Sequence, residues 1–349
     1  MRTARFPLKN NLYRRKERLV PRKPIVPLMR DLADVRTVGI PRGLLYYRYG
    51  DLWITFFEEL GRSVIVSDKT DKALVDAGSA ASVDECCLAS KAYMGHAESL
   101  LGHCDALFVP CYASGDARAG FCTKFQSLPD LVRSTFRDRD VRVMSLLVEN
   151  SSDKKSSQRA FTELAMRMGA TPPAAQRAWK AALHAQDARD AKRATAQEEV
   201  LRRLDNKEHP LSILLVAHPY IAHDPYLSGS IIDALEHMGA TVLFADETNH
   251  AKARKASFDF SRTLPWVISR ELVGSILLLR DRIDGIVLVS AFPCGPDSMT
   301  DDAIMRCIQG KPILNLMIDA QSGTAGIETR VESFIDILKF QQKGGYVNG

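Results

Sequence analysis

Cys294 stands where parallel α/β proteins do their chemistry. It closes an apolar run, residues 284–294, that reads as a buried strand and is followed by Gly295 and Pro296. Ligands of open α/β sheets collect at the carboxyl ends of strands, where loops meet backbone amides and helix N-termini. The same construction occurs earlier: residues 105–110 form an apolar run ending in Pro110 and Cys111, with the small residues Ala113, Ser114 and Gly115 following. Two more cysteines fall in loop-like positions, Cys87 after Asp84 and Glu85, and Cys122 in Gly120-Phe-Cys-Thr-Lys-Phe125. There is no Cys-x-x-Cys pair and no His-x-x-x-His helix, and Cys86 and Cys87 are adjacent, so any metal site must be assembled from distant loops. Residue chemistry alone leaves two readings of the four loop thiols open: soft ligands of a metal, or small buried hydrophobes. Cys104 and Cys307, on helical or apolar stretches, fit the second.

His218, His96 and Lys91 lie in or beside these loops and are the candidate catalytic groups. A histidine in such a place either moves protons or is a hydrogen-bonded structural residue. Lys91 and Lys124 would screen a negative centre or be solvated. Arg330 and Glu332 are two positions apart and would not face each other on a helix, so the segment from Thr329 reads as a helix entrance with Glu332 as its capping-box partner.

The elements that must position these groups alternate between short β-rich runs and helical segments, the pattern of a parallel α/β protein. Strands are expected at 36–40, 63–66, 105–110 and 141–147, and again at 211–217, 241–245, 284–290 and 312–318, four in each of two lobes. Helices are expected at 52–60, ended by Gly61, at 91–101, and at 231–238, ended by Gly239. Between the lobes, residues 157–207 are rich in Ala, Arg, Glu and Gln and are broken only by Pro172 and Pro173, which predicts one helix before the prolines and a long one after them. That connector is either a solvated helix or an oligomerisation element. The organisation expected is a basic N-terminal arm (1–35), a first α/β lobe (36–150), a helical connector (151–208) and a second α/β lobe (209–349), with the site in the interlobe cleft. Val38-Gly-Ile-Pro-Arg-Gly43 and Ala217-His-Pro-Tyr220 follow the first strands of the two lobes, a weak sign of duplication.

The 349 residues suffice for two cores, and the 46% hydrophobic and 26% charged fractions are those of a water-soluble globular chain. No stretch approaches the roughly 18 apolar residues of a membrane span, and the N-terminus lacks the apolar core of a secretory signal. A cytoplasmic, reducing setting is therefore expected, with the seven cysteines not in disulfides. Much of the net charge of +5 lies in the N-terminal segment, among it Arg14, Arg15, Lys16, Arg18, Arg22, Lys23 and Arg30. A solvated arm explains it without a nucleic-acid partner.

An ordered set of short motifs is similar to proteins related to 2-hydroxyacyl-CoA dehydratases and their activases, the DUF2229 group. The set comprises Gly39-Ile-Pro-Arg-Gly-Leu-Leu-Tyr-Tyr47, Trp53 with Phe56-Phe57, Val83-Asp-Glu-Cys-Cys-Leu88, Gly95-His96, Cys122-Thr-Lys-Phe125, His218-Pro-Tyr220 with Asp224, Phe292-Pro-Cys-Gly-Pro-Asp-Ser298, and Thr329-Arg-Val-Glu332 with Phe334. The resemblance runs from about Val38 to Leu338. It implies two Rossmann-like lobes and an oxygen-sensitive [4Fe-4S] cluster held by Cys87, Cys122 and Cys294, although zinc would use the same ligands. It also implies a separate ATP-dependent activase as electron donor, since this chain has no Walker A segment. The expected acceptor is an acyl-CoA, another small molecule or a partner, with homo- or hetero-oligomers as the working forms. Where relatives carry arginine after the Pro110 strand, this chain has Cys111, which would add a fourth thiolate and close the cluster. Acidic residues that relatives show around Ala320 and Thr324 are absent, which argues against a proton-transfer role and dehydratase activity, while a cluster closed by Cys111 would favour electron transfer. The rival is a non-catalytic binding or scaffolding subunit with a structural metal. A zinc hydrolase stands behind both, because the sequence shows no carboxylate beside the cysteines in a zinc-enzyme pattern.

Overall fold

The structure is a computed structural model and describes residues 30–113, 120–149, 154–204, 210–321 and 324–343. Most of the expected basic arm, the Ser114 and Gly115 that follow Cys111, and both ends of the connector lie outside the described residues.

Among the described residues ten strands follow in chain order: β1 (Thr37–Ile40), β2 (Ser63–Val66), β3 (Ala106–Phe108), β4 (Cys111–Tyr112), β5 (Val143–Met144), β6 (Leu147–Val148), β7 (Ser212–Val216), β8 (Thr241–Phe244), β9 (Gly285–Ala291) and β10 (Ile313–Ile318). They form two four-stranded parallel sheets, β2-β1-β3-β5 and β10-β9-β7-β8, with a small parallel pair β4-β6 beside the first. Residues of β3, β7 and β9 are buried throughout, as expected for central strands covered on both faces by helices. Counted within its own lobe, each sheet runs second, first, third, fourth. The duplication that the sequence only hints at is therefore a repeat of topology. Each sheet reverses its winding between its first and third strands, β1/β3 and β7/β9, and the carboxyl ends there form the ligand-binding crevice of a doubly wound fold.

Seven of the eight expected strands are observed within a residue or two of their expected bounds. The eighth, 141–147, is two short strands, because the chain steps from the first sheet to the β4-β6 pair. The connector consists of helices Lys154–Arg167 and Pro172–Leu204, with Pro172 and Pro173 opening the second, where a missing amide donor costs nothing. The longer helix packs along helix Tyr46–Glu59 of the first lobe, and its Gln186 donates to the Arg48 carbonyl at 2.8 Å. Thr329 is not a helix entrance. It lies inside helix Thr324–Gln342, which begins five residues earlier. Among the described residues no helix is long and apolar enough to cross a membrane.

Helices Lys72–Ala80 and Leu88–Ser99 cross at two glycines. A β-carbon on Gly78 would lie 1.9 Å from the Lys91 carbonyl oxygen, and one on Gly95 would lie 2.1 Å from that of Leu74. This backbone-to-backbone approach sets the place of helix Leu88–Ser99, and with it Cys87 at its start.

Candidate functional site

Cys87, Cys122 and Cys294 come from three loops far apart in sequence and line one cavity between the lobes. Each is the N-cap residue of a helix: Cys87 of Leu88–Ser99 (12 residues), Cys122 of Thr123–Thr135 (13 residues) and Cys294 of Gly295–Cys307 (13 residues). No side chain caps these helices, so the positive ends of three backbone dipoles converge on the thiols. The lobes are stitched together at this point by backbone hydrogen bonds. Leu88 N–H donates to the Phe292 carbonyl at 2.9 Å, Gly120 N–H to Pro265 at 2.9 Å, and Val267 N–H to Gly120 at 2.8 Å. Leu44 after β1, Cys122 beyond β3 and β4, His218 after β7 and Cys294 after β9 all reach the cavity, which therefore joins the crevices of both sheets.

The walls are mainly apolar, from Phe121, Phe125, Trp266 and Ile268, and they close round a tight hollow of about 30 Å³. Among the residues lining it, Lys124 Nζ and Ser90 Oγ are buried with no hydrogen-bond partner. An ammonium left without a partner in an apolar wall is costly and marks a place for negative charge.

Burial pushes the Cys87 thiol pKa up, with the Lys124 charge partly opposing. Burial and the Asp297 carboxylate push that of Cys294 up further. These thiols stay protonated unless a cation arrives, so metal binding here would release protons.

Asp297, three residues into the helix that Cys294 caps, has its Oδ1 2.7 Å from His218 Nδ1. Burial opposes the charged form of His218, but Asp297, Asp301 and Asp246 outweigh it and raise its pKa. The Asp301 carboxyl is pushed up to about 7 by burial and by Asp297. The His218 ring stacks on Tyr220 at 5.0 Å, and the ligand atoms of His218, Cys294 and Asp297 lie within 4.8 Å of one another. The sequence reading missed this carboxylate. The signal was present in Cys294-Gly-Pro-Asp297, since an acid in the first helical turn points back toward the cap residue.

Cys111 is not brought to the cavity. Alternation along β4 sends Tyr112 into the core, stacked on Tyr49 at 5.4 Å, so Cys111 faces the other way and donates to the Gln126 carbonyl at 3.0 Å. Cys104 packs against Gly39, whereas Cys307 is exposed at the end of its helix and is not the packed thiol expected. Lys91 does not line the cavity. His96 does not either: it is fully buried, its Nδ1 2.9 Å from Ser67 Oγ and its Nε2 3.0 Å from Thr70 Oγ1. Thr70 in turn hydrogen-bonds Asp224, which also accepts from Tyr47 at 2.9 Å. With both nitrogens committed, His96 belongs to a structural network joining the lobes.

The family model described as CoA enzyme activase uncharacterised domain (DUF2229) matches residues 37–247, more than half of the chain. Cys87, Cys122 and His218 fall inside the match and Cys294 beyond it. No curated protein matches. Solved structures that resemble it loosely include the C-terminal domain of glucosamine-fructose-6-phosphate aminotransferase from Francisella tularensis, at 11% identity over 91% of this chain and 87% of that one, with a TM-score of 0.25. Glucosamine-6-phosphate deaminase from Thermotoga maritima matches at 11% identity over 88% and 85% of the two chains, TM-score 0.20. Likeness of that degree carries no functional argument.

Proposed function

Because the chain belongs to the CoA enzyme activase domain family (DUF2229), we propose that it is an iron–sulfur protein that works with an ATP-dependent activase, its [4Fe-4S] cluster held by Cys87, Cys122 and Cys294. The observation that carries this is the convergence of three distant thiols, each capping a helix, on one cavity with a buried unpartnered lysine. Such a cluster, when bound, supplies one-electron chemistry and, with three protein ligands, an iron open to a further ligand.

The chain's own residues do the rest. Three helix N-termini and Lys124 favour negative charge at the centre. The aromatic wall keeps water from it, and His218, held against Asp297, stands ready to hold or give a proton at the cavity edge. The electron would pass to a small molecule in the cavity or to a partner. Cys111 is left out of the ligand set, which keeps the fourth position free. A cytoplasmic setting, where thiols stay reduced, suits all of this.

One observation favours a second reading. His218, Cys294 and Asp297 alone form a donor set for a single divalent ion, as in a subunit with a structural metal. Anaerobic purification followed by iron, sulfide and zinc analysis separates the two. About four irons with equal sulfide support the cluster; stoichiometric zinc without sulfide supports the single ion.

A further inference from the structure

Strand β10 is the longest of the strands at the edges of the two four-stranded sheets, and among the described residues no strand pairs with its outer side. Its bonds to β9 show what that side offers. Ile286 N–H donates to the Pro312 carbonyl and Phe292 N–H to that of Ile318, so the even-numbered residues of β10 bond to β9. In a parallel ladder alternate residues face opposite neighbours, which turns the amides and carbonyls of Ile313, Asn315 and Met317 outward. Free edges are normally blocked by a charged residue, a proline or a bulge. The sequence Ile-Leu-Asn-Leu-Met-Ile has neither charge nor proline, and its register with β9 runs unbroken. Arg330 reaches round from helix Thr324–Gln342 and donates to the Asn315 carbonyl at 2.6 Å, but a carbonyl oxygen has a second lone pair to offer. Beside the edge, Met305 and Met317 are 51% and 49% exposed, and Asn315 Nδ2 lies 3.5 Å from the Met305 sulfur, so the apolar surface continues onto helix Gly295–Cys307.

We propose that β10 pairs with β10 of a second copy of this chain, antiparallel about a two-fold axis at Asn315, so that one sheet runs through both molecules. Asn315 then meets Asn315 of the second copy and Ile313 meets Met317, each pair exchanging backbone hydrogen bonds through the outward groups. Charge selects a second copy as the occupant. Lys311, just before the strand, and Asp319, just after it, are equally far from Asn315 in sequence, so the axis sets Lys311 of each copy opposite Asp319 of the other. Opposite charges facing each other across a strand pair support the pairing. The Lys311 ammonium donates to the Ile283 carbonyl at 2.6 Å and has further N–H groups to give. Within one molecule Lys311 and Asp319 stand at opposite ends of β10 and cannot meet. The axis is perpendicular to the sheet, so Met305 and Met317 of both copies gather on one face beside it and leave water together. The pairing does not depend on what the cysteines hold.

The test is sedimentation equilibrium of the anaerobically purified full-length chain at micromolar concentration, with circular dichroism to show that each variant is folded. Wild type should sediment as a dimer. Asn315→Pro removes an amide that β9 does not use, so the sheet within each copy stays while the dimer should weaken by at least about tenfold. Lys311→Glu should weaken it by a smaller factor, and Lys311→Glu combined with Asp319→Lys should restore it, which no contact inside one copy can do. A monomeric wild type, the result expected if a different protein takes this edge, would overturn the proposal. So would an unweakened dimer in Asn315→Pro, or a double variant that recovers nothing of what Lys311→Glu loses. Should Asn315→Pro fail to fold, the loss in Lys311→Glu and its recovery in the double variant decide.

Discussion

The Arg48 guanidinium of the first lobe grips the Glu271 carboxylate of the second through two contacts, Nη1 to Oε2 at 2.6 Å and Nη2 to Oε1 at 3.0 Å, with both side chains buried. Burial opposes the charge on Glu271, but Arg48, then His250 and Arg254, more than offset it and hold its pKa below the usual range. The pair fixes how the lobes meet, and thereby whether Cys294 reaches the cavity that Cys87 and Cys122 line.

Removing one partner leaves the other charge buried alone. Glu271→Ala should therefore destabilise the protein by about 3–5 kcal/mol, and the joint replacement Arg48→Met with Glu271→Leu by much less. Chemical denaturation of the three proteins checks this; equal losses in the single and the double variant would show that packing, and not the stranded charge, is what matters.

His96 makes stability depend on acid. Burial, then the nearby Arg42 charge, brings its pKa down to about 4 from an ordinary 6.5. A histidine depressed in the folded state stabilises fully above its unfolded pKa, and that contribution is lost as the pH falls through about 6.5 toward 4. The contribution is about 3 kcal/mol. Comparing denaturation at pH 7.5 and 4.5, wild type should lose more stability on acidification than His96→Gln; identical slopes would mean that the ring is not held neutral.

Lys124→Met tests the unpartnered ammonium. In protein stripped of metal and ligand, the substitution removes a desolvated charge and keeps most of the side-chain volume, so the melting temperature should hold or rise. A marked fall would show that the ammonium has a stabilising partner.

The Cys111 thiol points away from the cavity, so Cys111→Ser should leave iron and sulfide content unchanged. Cys104→Ala and Cys307→Ala should do the same. Loss of an iron in the Cys111 variant would bring that thiol back into the ligand set.

Much of this was legible in the sequence, because a buried parallel strand writes itself as an uninterrupted apolar run: β2 lies at its expected residues and β9 is offset by one. Loop position singled out Cys87, Cys111, Cys122 and Cys294 alike, and only the family resemblance reduced them to Cys87, Cys122 and Cys294. What could not be read was direction. Whether Cys111 turns toward Cys87 depends on which face of a two-residue strand it occupies, and no periodicity is measurable over two residues. The partnership of Asp297 with His218 spans the second lobe, and the orphaned Ser90 hydroxyl is a property of packing that leaves no trace in residue order. Helix Thr324–Gln342 was misplaced at its start because Thr329 and Glu332 mimic a capping box inside a helix that was already running.

The most direct measurement is iron and acid-labile sulfide in anaerobically purified wild type beside Cys87→Ser, Cys122→Ser and Cys294→Ser. The account predicts about four of each per chain in wild type and loss or conversion of the cluster in each of the three variants. Stoichiometric zinc without sulfide in wild type, or full iron and sulfide in Cys294→Ser, would contradict it.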